Sequence, residues 1–466
     1  MKKEPQQNLH LIFNPKTVAV IGASENPAKL GSHVMKSLLQ DDGFRGRIVP
    51  VNPNGGEIMG ISSVSSVTEI KGSVDLAIVV VPAGAVPGVF QECGKKGVGG
   101  IVLITAGFKE IDDPAGAELQ SRLAEIAMAE GMPVIGPNTF GIVNRTIDLN
   151  ASFTPEFSHV ERGGVSIVSQ SGGISHLLAF MAMKEHVGIS KIIGLGNRLN
   201  IDFAEILPYL VEDPDTQVII LYLEGLDDPR KLMDAARNTG GKKPILAMKA
   251  GSAESGNRAS LSHTGSVAGR QEVYKAAMIQ SGILPMESTE ALMDIARALS
   301  LCPLPGGPRM AVLTGQAGPG MVACDTCERY GLQIASFQES TQAAINNLLP
   351  PLAIRTNPVD MGPAWYDSAA IKGIMRAAAE DENTDGILLL MMFASANRGA
   401  VSYLSDFLLD WRQKKPVVTC LVSPAGIWDD EVLRLERAGA LVNLPTPERA
   451  AKVMASLWQY KHKTWR

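Results

Sequence analysis

Short apolar runs alternate with amphipathic stretches through the N-terminal third of the chain. The apolar runs cover residues 17–22, 47–52, 75–82, 100–105 and 133–138. Because these runs are nearly continuous in apolar residues, they are typical of strands buried on both faces of a sheet. Helical spacing characterises the stretches between them, at residues 31–40, 85–96 and 114–130. This alternation predicts a first unit with a parallel sheet and helical crossovers.

The same alternation continues in two further units. A polar stretch around residues 150–162 separates the first unit from the second, and a Pro- and Gly-rich segment at residues 302–308 is expected to link the second to the third. The predicted strands of these units cover residues 164–169, 190–194, 217–223, 244–248, 309–314, 385–391 and 416–421. The sequence therefore predicts an α/β protein with three parallel-sheet units.

Charge and composition narrow the classes of function. The 466 residues include 43 Lys and Arg against 48 Asp and Glu, a formal net charge of −5, and aromatic residues are 5% of the chain. Nucleic-acid binders usually have a basic excess and aromatic stacking surfaces, so no nucleic-acid partner is expected. No apolar run approaches the roughly 20 residues that span a bilayer, so no membrane partner is expected either.

The cysteines give no regular disulfide framework. They are Cys93, Cys302, Cys324, Cys327 and Cys420. A reducing compartment suits this odd, irregular set, and we expect a cytoplasmic protein. Cys324 and Cys327 are spaced as zinc ligands often are, but they lack a second Cys or His pair and fall in a helical pattern. No metal site is therefore expected.

The loop after the first strand is a candidate anion site. It runs from Gly22 to Gly31, where a helix begins. Backbone N–H groups and the helix dipole favour a phosphate at this position of a doubly wound sheet, and Lys29 adds a cation. The spacing is not G-x-G-x-x-G and no carboxylate ends the second strand, so an NAD-linked oxidoreductase is disfavoured. Alternatively, the two glycines only permit a tight turn and close helix packing.

A second candidate anion site follows the first strand of the second unit. Residues 169–173, Ser-Gln-Ser-Gly-Gly, join that strand to an apolar helix. Ser171 can donate a hydrogen bond to a phosphate or cap the helix N-terminus. On this motif alone, a plain helix cap is the simpler interpretation.

His263 lies in a segment rich in Gly, Ser and Ala at residues 249–269. The segment follows a strand of the second unit, so we expect it at the carboxyl edge of the sheet, where ligands bind in open α/β sheets. A neutral imidazole is a nucleophile that can carry a covalent group. Glu224 follows another strand and is placed to orient that imidazole. The alternatives are a solvated loop histidine and a surface or helix-capping acid.

Taken together, these motifs resemble the nucleoside-diphosphate-forming acyl-CoA synthetases, a family that includes ADP-forming acetate–CoA ligase and is related to succinyl-CoA synthetase. The resemblance is carried, in order, by residues 22–31, 51–54, 81–83, 105–108, 136–141, 169–173, 221–225, 262–269, 312–320 and 357–360. It implies a CoA-binding Rossmann-like domain at residues 8–145, a flavodoxin-like domain with a phosphohistidine loop at 160–300, and a second flavodoxin-like ligase domain at 306–466. Thr139 and Asn200 depart from the Cys and Asp that are usual at their positions.

The resemblance also implies roles for individual residues. His263 would be the phosphohistidine and Glu224 its partner. The phosphate site would comprise Ser169, Gln170, Ser171, Gly172 and Gly173. The CoA site would comprise Gly22, Ala23, Ser24, Lys29, Gly31, Asn52, Val81, Pro82, Thr105, Ala106, Gly107 and Asn138.

The implied activity is acyl-CoA + phosphate + ADP ⇌ acid + CoA + ATP, with a small carboxylic acid, through an acyl phosphate and a phosphohistidine. The chain contains no G-x-x-x-x-G-K-[ST] motif or other recognisable nucleotide site. ADP or ATP and Mg²⁺ are therefore expected on a separate ATP-grasp β subunit in an α₂β₂ assembly, as the resemblance implies. The alternative is a non-catalytic CoA- or acyl-CoA-binding regulatory module, which the presence of both His263 and Glu224 disfavours.

Overall fold

The computed structural model describes residues 5–40, 43–251 and 271–463. Two compact bodies make up the chain, an N-terminal body, Met1–Met293, and a C-terminal body, Asp294–Arg466. The strands of the N-terminal body are β1 (Thr17–Ile21), β2 (Arg47–Val51), β3 (Glu57–Ile58), β4 (Ile61–Ser62), β5 (Leu76–Val79), β6 (Gly100–Leu103), β7 (Val134–Ile135), β8 (Gly141–Asn144), β9 (Leu149–Ser152), β10 (Arg162–Ser169), β11 (Ile189–Gly194), β12 (Val218–Leu223), β13 (Ile245–Lys249) and β14 (Leu284–Pro285).

Helices cover both sheets of the N-terminal body. They are α1 (Pro5–Phe13), α2 (Leu30–Leu38), α3 (Val86–Lys96), α4 (Pro114–Glu130), α5 (Gly172–Lys184), α6 (Phe203–Glu212), α7 (Pro229–Asn238) and the helix Gln271–Gln280. The helix Thr289–Leu301 begins in this body and ends in the next. Short 3₁₀ helices occur at Val67–Glu69, Ala83–Ala85, Arg145–Ile147 and Pro155–His159.

The first sheet is parallel, with strand order β2-β1-β5-β6-β7. The residues of β5 and β6 are all buried, which explains their continuous apolar runs. The five strands predicted for the first unit are confirmed, although β7 is shorter than predicted. The chain leaves β7 at Gly136, where φ is +100°.

The second sheet has seven strands in the order β14-β13-β12-β10-β11-β8-β9. The strands from β10 to β14 are parallel, whereas β8 pairs antiparallel with both β11 and β9. The sequence did not predict β8 and β9, and residues 150–152 belong to β9 rather than to a separating polar stretch. These two strands carry buried polar side chains whose hydrogen bonds are satisfied. For example, Asn150 Nδ2 donates to Thr154 O over 3.0 Å.

One continuous hydrophobic core extends through both sheets of the N-terminal body. It includes Phe13 of α1, Ile78 of the first sheet, and Ile193 and Leu221 of the second sheet. A separate core lies under α3 and α4 and includes Phe90 and Leu123. The two sheets are therefore packed as parts of one body.

The C-terminal body contains a third, parallel sheet. Its strands are β15 (Arg309–Thr314), β16 (Gln333–Ile334), β17 (Val359–Asp360), β18 (Gly386–Met392), β19 (Val417–Val422) and β20 (Val442–Asn443). The order is β16-β15-β18-β19-β20, and β17 pairs with β15. The predicted strands at residues 309–314, 385–391 and 416–421 are confirmed as β15, β18 and β19.

Helices flank the third sheet. They are Ala317–Arg329, Glu339–Leu348, Ser368–Glu380, Ala400–Trp411, Asp429–Arg437 and Pro447–Lys463, with 3₁₀ turns at Gly362–Ala364 and Ser395–Asn397. Cys324 and Cys327 both lie in the first of these helices. In the part of the chain that the structure describes, no helix combines the length and apolar character that crossing a membrane requires. The domain limits given from the sequence stay predictions.

Candidate functional site

The predicted CoA-site residues lie at one edge of the first sheet. Each follows the carboxyl end of a parallel strand, where ligands bind in open α/β sheets. Gly22, Ala23, Ser24, Lys29 and Gly31 follow β1, Asn52 follows β2, Val81 and Pro82 follow β5, Thr105, Ala106 and Gly107 follow β6, and Asn138 follows β7. The structure therefore brings these residues to a common edge.

A close backbone approach shapes the loop after β1. A Cβ atom on Gly31 would lie 2.0 Å from the carbonyl oxygen of Gly22, so α2 can begin against this loop only with glycine at position 31. Gly22 itself has φ of +95°, a conformation that favours glycine. Ser24 is half-buried and Lys29 is exposed at the N-cap position of α2. An anion at this helix end would meet backbone N–H groups and a nearby ammonium.

Two of the predicted CoA-site residues join neighbouring loops. Asn52 Nδ2 donates to Ala23 O over 2.9 Å, which links the loop after β2 to the loop after β1. Thr105 Oγ1 donates to Val81 O over 2.7 Å, which links the loops after β6 and β5. These bonds give Asn52 and Thr105 a role in holding the shape of the edge.

The segment from Ser169 to Gly173 forms a tight turn into α5. Ser169 Oγ donates to Ser171 O over 2.9 Å and accepts from Ser171 N over 3.1 Å. Ser171 Oγ caps α5 by accepting from Ile174 N over 3.4 Å. Gly172 has open space where a Cβ atom would stand. The plain cap is thus present, and it leaves the first turn of α5 open to an anion.

Gln170 fixes the position of Glu224. Its Nε2 donates to Gly225 O over 2.8 Å, and its Oε1 accepts from Glu224 N over 2.5 Å and from Gly225 N over 3.1 Å. The side-chain amide is therefore occupied by the backbone that follows β12. This geometry favours a positioning role for Gln170 over the direct phosphate contact expected from the sequence.

Glu224 is half-buried beside cationic and polar neighbours. Burial lowers the pKa of Lys249, while the negative charge of Glu224 opposes that effect. Burial raises the pKa of Tyr222 to about 12, and the charge of Glu224 adds to this shift. His263 lies outside the described residues, so its pairing with Glu224 stays a prediction.

A small cleft of about 20 Å³, partly open to solvent, lies where the edges of the two sheets of the N-terminal body meet. Its lining comes from the loop after β6, the loop after β7, the loop after β11, and the ends of β10 and β12. The lining residues are Lys109, Glu110, Asn138, Gln170, Gly196, Asn197, Arg198 and Glu224. The cleft thus brings together residues with three predicted roles. Asn138 was predicted for the CoA site, Gln170 for the phosphate site and Glu224 as the partner of the phosphohistidine.

Sequence reasoning missed five of these residues, Lys109, Glu110, Gly196, Asn197 and Arg198. The available signal was a Lys-Glu pair soon after the buried strand β6. Glu110 Oε1 accepts from Gly107 N over 2.5 Å, and Glu110 Oε2 accepts from Asn197 Nδ2 over 2.5 Å. Burial favours the neutral carboxyl, but these hydrogen bonds outweigh it and hold the pKa of Glu110 below its usual value.

Arg198 and Asn200 anchor the loop after β11. Arg198 has φ of +58°, and its guanidinium pairs with Asp202 at 2.6 Å and with Asp227 at 3.2 Å. Asn200 Nδ2 donates to Met132 O and its Oδ1 accepts from Val134 N, both over 2.8 Å. An aspartate could only accept, so the amide at position 200 ties the second sheet to β7 through both of its polar groups.

A similar turn occurs in the C-terminal body. Thr314 Oγ1 donates to Gln316 O over 2.5 Å and accepts from Gln316 N over 3.3 Å, as Ser169 does with Ser171. Gln316 Nε2 donates to Met392 O over 2.8 Å, and its Oε1 accepts from Met392 N over 3.1 Å. A hydroxyl turn followed by a helix, with a glutamine that holds the neighbouring strand end, is thus common to both bodies. Phe393, rather than a carboxylate, follows that strand end.

Two stretches of the chain match known families. Residues 162–299 match the family described as succinyl-CoA ligase like flavodoxin domain, and residues 16–145 match the family described as CoA binding domain. The chain is 41% identical over 82% of its length to the α subunit of ADP-forming acetate–CoA ligase II of Pyrococcus furiosus, and the match covers 82% of that protein. It is 36% identical over 98% of its length to the corresponding ligase I α subunit, with 99% of that protein covered.

Longer relatives and solved structures are also similar. ADP-forming acetate–CoA ligase I of Archaeoglobus fulgidus is 37% identical over 96% of this chain, which spans 63% of that protein. The dinucleotide-forming acetyl-coenzyme A synthetase 1 of Ca. Korarchaeum cryptofilum, solved in complex with phosphate and ADP, superposes with a TM-score of 0.91 at 35% identity. That superposition covers 98% of this chain and 97% of the other.

Proposed function

Because this chain belongs to the family of the α subunits of ADP-forming acetate–CoA ligases, we propose that it catalyses acyl transfer between CoA and phosphate as part of an ADP-forming acyl-CoA synthetase. The observation that carries the proposal is the cleft in which Asn138, at the edge of the first sheet, lies with Gln170 and Glu224 of the second. An acyl group can pass from thioester to phosphate only where the two ligands meet. The names of the relatives as ligases favour this activity over a regulatory binding module.

The edge of the first sheet fits the anionic groups of CoA. The N-terminus of α2, the polar Ser24 and the exposed Lys29 lie together on the loop after β1. Helix N-termini and ammonium groups bind phosphates. The residue directly after β2 is Asn52, so no carboxylate stands there to repel them. We infer that the loop holds CoA phosphates, while residues 105–107 and Asn138 lie along the path towards the cleft.

The reaction then proceeds in three transfers. A phosphate oxygen attacks the thioester carbonyl carbon, the C–S bond breaks, and the phosphate proton passes to the CoA thiolate, leaving an acyl phosphate. An imidazole nitrogen of His263 attacks phosphorus, and the bond from phosphorus to the acyl oxygen breaks to release the carboxylate. The terminal oxygen of ADP then takes the phosphoryl group and restores the imidazole. Glu224 would stabilise the imidazolium character of His263, and the first turn of α5 would stabilise phosphate charge.

We infer that ADP or ATP and Mg²⁺ bind to a separate ATP-grasp β subunit in an α₂β₂ assembly. The Pyrococcus relatives are named α subunits, and the single-chain Archaeoglobus relative is longer than this chain. Within residues 5–40, 43–251 and 271–463, no group of three or more His, Cys, Asp or Glu side chains that could hold a metal ion occurs.

We also propose the cytoplasmic location expected from the sequence. It is supported by the five cysteines, which are all free thiols.

Phosphohistidine labelling tests the proposed chemistry. The chain, supplied with acyl-CoA and radioactive phosphate, should acquire an acid-labile, base-stable label that His263→Ala abolishes. The matched control is His159→Ala, because His159 is an exposed histidine outside the cleft. A His263→Ala variant that labels like the wild type would refute the mechanism.

A second assay tests the two-chain assembly. The chain alone should label but make no ATP from acyl-CoA, phosphate and ADP, and it should gain ATP synthesis when mixed with the β subunit. EDTA should stop ATP synthesis while sparing the label, because Mg²⁺ is assigned to the partner. Robust ATP synthesis by the isolated chain would overturn the assignment of the nucleotide site.

A further inference from the structure

Lys109 places a positive charge in the cleft between the two predicted sites. It lies on the loop between β6 and α4, two residues after the predicted CoA-site residues 105–107. Lys109 lines the same cleft as Gln170 and Glu224. The resemblance that the sequence shows to acyl-CoA synthetases gave this lysine no role.

The backbone around Lys109 is held in place from three directions. Its N–H group donates to Gln120 Oε1 over 3.4 Å. The preceding N–H groups of Gly107 and Phe108 donate to Glu110 Oε1 over 2.5 and 3.1 Å. The Phe108 side chain is buried in the core under α3 and α4. The loop therefore presents the Lys109 stem from a fixed base, as a binding residue requires.

The other charged groups of the cleft wall already have direct partners. Arg198 is paired with Asp202 and Asp227, and the Glu110 carboxylate accepts from three N–H groups. By contrast, no acceptor among the described residues lies within hydrogen-bond or ion-pair distance of Lys109 Nζ. The Lys109 ammonium is thus the cation in this wall that can accept a new anionic partner without breaking an existing pair.

The surroundings of Lys109 make such a partner favourable. Burial lowers the pKa of Lys109, and the nearby positive charge of Arg198 adds to this effect. The negative charges of Asp227, Asp202 and Glu110 act in the opposite direction. A partly desolvated ammonium interacts more strongly with an anion than an exposed one does, because water screens the charges less.

We propose that Lys109 binds the phosphoryl group of inorganic phosphate and of the acyl phosphate in this cleft. The inference rests on the proposed function, which requires a phosphate to meet the thioester here. A phosphoryl group carries two negative charges beside Glu110 and Glu224, so a cation at this point would offset repulsion between the ligand and these carboxylates. Lys109 would therefore act as a phosphate-binding residue.

Titration calorimetry with inorganic phosphate on the full chain tests the assignment directly. Lys109→Met should weaken phosphate binding by about tenfold or more, the loss expected for one charge-assisted hydrogen bond. Lys109→Arg keeps the charge and should stay within about threefold of the wild type. Lys95→Met, at an exposed lysine of α3, is the matched control and should bind like the wild type. Wild-type affinity in Lys109→Met would overturn the proposal, as would undetectable phosphate binding by the wild type.

Steady-state kinetics on the assembly with the β subunit separates this role from a structural one. Lys109→Met should raise KM for phosphate by a similar factor while leaving KM for acyl-CoA within about twofold. An equal rise in both constants would overturn the phosphate assignment. If the wild-type assembly makes no ATP, the proposed function fails, and the calorimetric result still decides whether Lys109 binds phosphate.

Discussion

Removing the side-chain amide of Gln170 should release Glu224 from its fixed position. Gln170→Ala deletes three hydrogen bonds, one to the carbonyl oxygen of Gly225 and two from the N–H groups of Glu224 and Gly225. Gly225 is buried, whereas Glu224 is half-buried. The free-energy cost therefore comes mainly from the two polar groups of Gly225.

The size of the effect follows from those two groups. Each buried polar group that loses its partner costs about 1–3 kcal/mol, and water entering the vacated side-chain volume favours the lower part of that range. We expect the segment after β12 to lose about 2–3 kcal/mol of local stability. Since 1.4 kcal/mol is a factor of ten, its local opening constant should rise about 30- to 150-fold.

Amide hydrogen exchange read by mass spectrometry measures this opening directly, because peptides covering residues 218–226 report the segment. The same variant should lose most of the phosphohistidine label, since Glu224 is no longer held beside the phosphate loop. Gln316→Ala is the matched control. It removes the comparable pair of bonds to Met392 in the C-terminal body, and its label should stay at the wild-type level. Unchanged exchange in the segment after β12, or full labelling despite faster exchange, would contradict the positioning role of Gln170.

Lys191→Met should lower the free energy of unfolding of the N-terminal body by about 3–5 kcal/mol in urea titrations. The substitution leaves the buried Asp213 carboxylate without the ammonium that lies 2.6 Å away. Adding Asp213→Leu to this variant should restore most of the loss. Gly31→Ala should weaken CoA binding in calorimetry, because its Cβ atom clashes with Gly22 O, whereas Gly88→Ala in open space on α3 should not. Above about pH 8 phosphate is already a dianion, so a fall in phosphate affinity with rising pH should report the loss of the Lys109 ammonium. Because burial lowers the pKa of Lys109, wild-type affinity should fall at a lower pH than it would with an exposed lysine. Lys109→Arg should keep its phosphate affinity over the same pH range. A Lys109→Arg pH profile identical to that of the wild type would count against the assignment.

The sequence predicted the longer parallel strands well because their apolar runs report burial directly, but it missed β14, β16, β17 and β20, which have two residues each. It did not predict β8 and β9, because Asn144, Asn150 and Ser152 are polar residues buried within or beside strands. Their burial depends on partners distant in the chain, such as the carbonyl oxygen of Phe13, to which Asn144 Nδ2 donates over 2.8 Å. A local pattern of polar and apolar residues contains no information on such partners.

The candidate site divides in the same way. Loops at strand ends could be predicted, since the carboxyl ends of parallel strands share an edge. The cleft wall could not, because Lys109 and Arg198 come from different sheets and meet only in the folded body. The sequence also does not show that the side-chain amide of Gln170 is hydrogen-bonded to the backbone after β12. A motif gives the residue type, but not which of its hydrogen bonds are already used.

The core shared by both sheets of the N-terminal body bears on how this chain can be divided. Strand β8 pairs with the second sheet, yet it precedes residue 145, where the match to the CoA-binding family ends. A fragment that ends at residue 145 would separate β8 from its partner β11 and expose apolar surface on both pieces. Any recombination that moved the CoA-binding half to a new protein would have to bring a replacement for that neighbour. Because the two family segments share this core, we expect them to fold as one unit.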